Sequence, residues 1–120
     1  MFGIYINCSR YPFIDQILSG RKTYETRTRD TLRSACGHWV YLIETGNGAP
    51  MVKGVAFLQR GRRVPFSDSF RRGLAMITGT TYDIQPGHDK VFYRLLDVQP
   101  VNPFPVPACR INHGRSYTEF

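Results

Sequence analysis

The apolar positions of this chain fall into short runs broken by glycine, proline and small polar residues, a pattern of brief strands and turns. Residues 2–6 mix β-branched and aromatic side chains and predict a first strand, partly buried on both faces. Ile14, Ile17 and Leu18 recur at helical spacing behind Pro12, with Asp15 near the N-terminal end and Gly20 just past the last apolar position. This predicts one short amphipathic helix closed by a left-handed glycine. A threonine- and tyrosine-rich strand follows over 23–28, and its parity places Thr23, Glu25 and Arg27 on one face, with Tyr24 and Thr26 on the other.

Residues 29–36 read as a polar loop. Residues 38–44 are almost all β-favouring and predict a central strand, and 51–59 predict its hairpin partner across the glycine-rich tip at 45–50. Ser67 or Asp68 caps an expected second helix that runs to about Met76, with Phe70, Leu74 and Ile77 at helical spacing and Gly79 as its stop. A turn at 85–87 leads to a strand over 90–98. The proline-rich stretch 102–107 predicts an extended, irregular segment outside any central strand, and 116–120 a strand that closes the sheet.

Composition sharpens this picture. A chain of 120 residues, 42% hydrophobic with 11 glycines and 8 prolines, fits one strand-rich domain. No run approaches the ~18 apolar residues of a membrane span, and the N-terminus lacks a signal-peptide pattern. Three scattered cysteines, Cys8, Cys36 and Cys109, do not make a disulfide framework. The expectation is a cytoplasmic monomer that takes no membrane partner and needs no cofactor.

The formal charge of +7 points to a polyanionic partner, nucleic acid before anything else. The basic residues cluster in two runs, one from Arg21 to Arg33 and one from Arg60 to Arg72. Such runs also serve as solvated surface.

The stretch from Ser19 to Arg27 carries the densest chemistry. A short apolar helix followed by Gly20-x-Lys22-x-x-Glu25-x-Arg27 and a strand resembles the signature of the ASCH domain family, whose barrel is related to the PUA domain. The apolar strand from Val91 and its Pro-Val-Pro exit resemble that family's last core strand. The resemblance implies an α+β fold, a small PUA-like mixed or antiparallel β-barrel of about five to six strands with two or more short helices. It also implies a cleft over one end of the barrel that takes RNA, single-stranded nucleic acid or a modified nucleoside. Members with this resemblance include amidohydrolases acting on an acylated cytidine, ribonucleases and a transcription coactivator module. A nucleic-acid binder, a hydrolase and a protein-interaction module are therefore all open readings.

The residues themselves suggest roles. Lys22, beside Arg21 and near Arg27, is a candidate base or nucleophile when desolvated, Glu25 a proton acceptor, and Arg27 a bidentate phosphate clamp. The simpler alternative is a structural Glu25–Arg27 ion pair with Lys22 in water. The binding set expected for nucleic acid is Arg21, Lys22, Tyr24, Arg27, Arg29, Arg62 and Arg63, with Tyr24 the aromatic expected to face the cleft. The chain departs from the amidohydrolase pattern, because Glu25 stands where a threonine is expected and the second helix offers Met76 and Ile77 in place of an acid. For ribonuclease chemistry His38, Tyr24, Tyr41, Lys22 and Arg27 qualify by type, and spacing selects none of them. Cys36-x-His38 and Cys109-x-x-x-His113 offer four zinc ligands if the two ends meet, but the one-residue gap of the first pair is shorter than the usual ligand spacing, so no metal is expected.

Overall fold

The computed structural model describes residues 1–65 and 89–120. The elements in chain order are β1 (Phe2–Asn7), α1 (Phe13–Leu18), β2 (Tyr24–Arg27), a 3-10 turn (Arg33–Ala35), β3 (His38–Thr45), β4 (Met51–Leu58), β5 (Arg62–Val64), β6 (Lys90–Pro105), β7 (Ile111–His113) and β8 (Tyr117–Glu119). The expected second helix lies outside the described residues, as do Arg71 and Arg72.

Among the described residues the strands form one mixed sheet in the order β2-β6-β4-β3-β1-β8-β7, with β5 also paired to β6. β1 runs parallel to β3 and antiparallel to β8, whereas β3–β4 and β4–β6 are antiparallel. β2 begins this order and β1 comes fifth, yet Arg27 of β2 bonds the Tyr5 carbonyl of β1, so the sheet is curled into a half-barrel. The expected five to six strands become eight: the closing strand expected over 116–120 is β8, and the two additions, β5 and β7, are each three residues long and too short to carry a periodic signal. One α-helix and one 3-10 turn accompany them among the described residues, and no helix there is long and apolar enough to cross a membrane.

The core lies inside the curl. β4 alternates strictly, burying Val52, Gly54, Ala56 and Leu58, and α1 inserts Ile14 and Ile17 against Ile4 and Ile6 of β1, Leu42 of β3 and Leu95 of β6. The 29–36 segment is less polar than its composition suggests, since Leu32 and Ala35 are fully buried and belong to the same core.

The proline-rich stretch corrects the sequence expectation. β6 continues through Pro100 and Pro103 to Pro105, pairing Gly54 with Pro100 and Met51 with Pro105. Among the described residues only β4 pairs with it beyond Arg94, and on the side away from β4 the prolines omit no donor that a described strand needs. Register shifts along β4–β6, together with Asp97 at φ 50°, bend the strand between its two halves.

Candidate functional site

The Ser19–Arg27 stretch is built by the end of α1. Gly20 takes φ +82°, and the reversed chain donates the Arg21 and Lys22 amides to the Gln16 carbonyl at 2.9 and 3.0 Å. This turns the Lys22 side chain back over the helix, where it is 2% exposed with its ammonium 4.9 Å from the centre of the Phe13 ring. β2 then starts at Tyr24, and its parity sends Glu25 inward, 7% exposed. Lys22 and Glu25 are the only charged residues buried among the described residues.

Glu25 and Arg27 line a cavity of about 650 Å³ between the first turn of α1, the C-terminal end of β1 and the C-terminal strands. Glu25 Oε1 accepts the Thr26 amide at 2.9 Å, while Oε2 is buried without a hydrogen-bond partner. Arg27 Nη2 donates to the Tyr5 carbonyl at 2.6 Å, so no Glu25–Arg27 ion pair forms. Phe13 also lines the cavity, and Lys22 sits across that ring rather than in the wall itself.

The opposite wall was missed at the level of sequence. Arg110, Asn112 and Arg115 line the cavity from the tail. Arg110 donates from Nε to the Tyr5 hydroxyl at 3.1 Å and from Nη1 to the Pro107 carbonyl at 2.9 Å, and the Tyr5 hydroxyl donates to Asn112 Oδ1. Tyr5 thus holds two arginines, Arg27 by its carbonyl and Arg110 by its hydroxyl. The only signal for this wall was the pair of arginines around the Ile-Asn-His-Gly segment.

The other expected binding residues lie elsewhere. Tyr24 packs edge-on against Phe92, with ring centres 6.1 Å apart, and lines no part of this cavity. Arg21 and Arg29 are exposed outside it. Arg62 and Arg63 belong to β5, paired to Phe92 and Val91, and Arg62 lines a different concavity. His38 packs on Phe2, and Tyr41 lies edge-on between Phe104 and Phe120. Cys36 donates its thiol to the Leu32 carbonyl, His113 pairs with Glu119 and stacks on Tyr117, and Cys109 is exposed. Among the described residues no three histidine, cysteine or acidic side chains come together as a metal site.

No protein-family model matches this chain, and neither does any curated protein sequence. Solved structures do. A serine-to-alanine variant of the ZmASCH protein from Zymomonas mobilis superimposes with a TM-score of 0.70 at 18% identity, over 98% of this chain and 87% of that one. A tyrosine-to-phenylalanine variant of ZmASCH gives 0.64 at 20% identity, over 98% and 89% of the two chains. The ASCH protein from the same organism gives 0.65 at 20% identity, over 98% and 87%. The half-barrel that holds Glu25 and Arg27 against the Arg110–Arg115 wall is therefore the fold of an ASCH domain.

Proposed function

We propose that this domain binds single-stranded RNA, or a nucleotide, in the cavity between α1, β1, β2 and the C-terminal strands. The observation that carries this reading is the convergence of Arg27, Arg110 and Arg115 with one buried carboxylate on a cavity of about 650 Å³, a volume typical of small-molecule sites. A guanidinium has five N–H donors, so Arg27 keeps donors for a phosphate after bonding the Tyr5 carbonyl. Glu25 Oε2 supplies a lone acceptor suited to a base N–H. The ring of Phe13 offers an apolar face beside it.

Titration of labelled single-stranded RNA at two salt concentrations tests the reading. Binding that weakens with salt, and weakens again in Lys22→Ala with Arg27→Ala, is expected. Absence of binding at low salt, or indifference to both substitutions, overturns it.

A hydrolytic reading draws on a separate observation, the burial of Lys22 and Glu25, because burying two charges is costly and such groups concentrate at functional sites. Incubation with RNA and with an acylated cytidine, followed by chromatography, tests this one. Turnover lost in a folded Lys22→Ala variant supports hydrolysis, and no turnover on either substrate leaves binding alone.

A further inference from the structure

A second concavity, of about 1150 Å³, is lined by Arg33, Arg60 and Arg62 together with Asp30, Gly37 and Phe57. The three arginines are exposed, and among the described residues none of their side chains makes a hydrogen bond or ion pair. Among the described lining residues the one acid, Asp30, forms no ion pair with them; its Oδ1 accepts the Tyr93 hydroxyl at 2.6 Å, and three guanidiniums outnumber it. Three like charges gathered on one hollow repel each other, and an external polyanion removes that cost.

Aromatic surface adjoins the charge. Phe57 lines the hollow, and Trp39, opposite it in the β3–β4 register, meets it edge-on with ring centres 5.9 Å apart. Trp39 is 44% exposed, against the usual burial of a tryptophan, and it is the only one in the chain. Unpaired guanidiniums beside an exposed indole are the elements of a single-strand platform, with cations along the backbone and a ring for a base to stack on.

The two sites sit at opposite ends of β3. Gly37, just before the strand, borders the second hollow, and Thr45, its last residue, borders the first cavity. At about 3.3 Å per residue they are roughly 26 Å apart along the strand, the length of about eight stacked nucleotides at ~3.4 Å each.

We propose that the Arg33–Arg60–Arg62 hollow, with Trp39 beside it, is a second contact site for single-stranded RNA. It rests on the RNA reading of the first cavity and extends it: one strand places a nucleotide in that cavity and runs its phosphates over the second hollow, stacking a base on Trp39. Short ligands fill only the first site.

The test compares an oligocytidylate of about 16 nucleotides, twice the span estimated above, with the dinucleotide of the same base. Affinity is read by calorimetry and Trp39 by its fluorescence, which reports this face alone. The long strand is expected to quench Trp39. The triple variant R33A/R60A/R62A is expected to bind it at least ~10-fold more weakly, with a log–log salt slope shallower by ~2 for three lost phosphates at ~0.7 each. Trp39→Phe, which keeps a ring, is expected to lose only a few-fold, and Trp39→Ala ~5-fold or more. Dinucleotide affinity stays at the wild-type value in all three variants, and the dinucleotide leaves Trp39 unquenched.

Wild-type affinity of the triple variant for the long strand, an unquenched Trp39, or an equal loss for long and short ligands overturns the second site. Failure of the first cavity reads differently. There the dinucleotide does not bind, or binds unchanged in Arg110→Ala, while the long strand still depends on the triple substitution. If the long strand does not bind at low salt, both readings fall.

Discussion

Arg27 donates from Nη2 to the backbone carbonyl of Tyr5 at 2.6 Å, joining β2 to β1 across the open side of the curled sheet. One guanidinium therefore closes the half-barrel and presents charge to the cavity. Arg27→Ala removes a charge-assisted bond and is expected to lower stability by about 1.5–3 kcal/mol, measured by urea unfolding. Arg27→Lys keeps the charge without the fork, so it is expected to regain part of the RNA affinity and little of the stability. Equal recovery of both in Arg27→Lys would show that the fork geometry is irrelevant.

Glu25 separates binding from stability in the other direction. Its Oε2 is buried without a hydrogen-bond partner, and a buried carboxylate left half-satisfied opposes folding. Glu25→Gln keeps the shape and an oxygen for the Thr26 amide while removing the charge. The variant is expected to be as stable as wild type or more so, by up to about 1 kcal/mol, and to bind nucleotide several-fold more weakly. Reduced stability with intact binding would mean that the carboxylate is structural.

Much of this arrangement is legible from local signals. The helix stop at Gly20, the β3–β4 hairpin and the shared face of Glu25 and Arg27 follow from spacing of two or three to four residues and from one glycine. Tyr24 follows the same parity to the opposite face, where Phe92 takes it, so its place in the motif said nothing about the cavity. The parallel pairing of β1 with β3 and the far wall at Arg110 and Arg115 are products of chain crossings, which leave no local trace. The prolines of β6 misled for a related reason. They forbid a central strand, and whether a strand is central depends on which neighbours the rest of the chain supplies.

Gly54 marks where α1 presses on the sheet. A Cβ there would stand 2.9 Å from Leu18 Cδ2 and 3.0 Å from the Gln99 carbonyl oxygen. The leucine can turn aside, but the backbone of β6 cannot without disturbing its pairing with β4. Gly54→Ala is expected to destabilise by about 1–3 kcal/mol. Since α1 also positions Phe13 and Lys22, a displaced helix is expected to weaken RNA binding as well. A fully stable variant, by thermal unfolding, would place the helix less tightly on β4 than the contact implies.

Tyr93 ties alkaline stability to the fold. Its side chain is fully buried, its hydroxyl donates to Asp30 and accepts the Leu32 amide at 3.3 Å, and burial first, then the bond to Asp30, pushes its ionisation well above the ordinary value near 10. The folded state therefore keeps the phenol proton where the unfolded chain releases it. That contribution is complete below pH 10 and is lost as pH rises from there toward the folded-state value. Burial raises the Cys8 and Cys36 thiols from 9.0 with the same sign, so wild-type stability is expected to start falling near pH 9. Tyr93→Phe leaves the Leu32 amide and Asp30 without this partner and is expected to cost about 1–3 kcal/mol at neutral pH. Because phenylalanine does not ionise and the cysteines remain in both proteins, the gap between wild type and variant is expected to hold up to about pH 9 and to narrow above pH 10. Urea unfolding of the two proteins between pH 7 and 11 measures it. A gap that stays constant across that range would show that the Tyr93 proton is no more tightly held in the fold than in the unfolded chain.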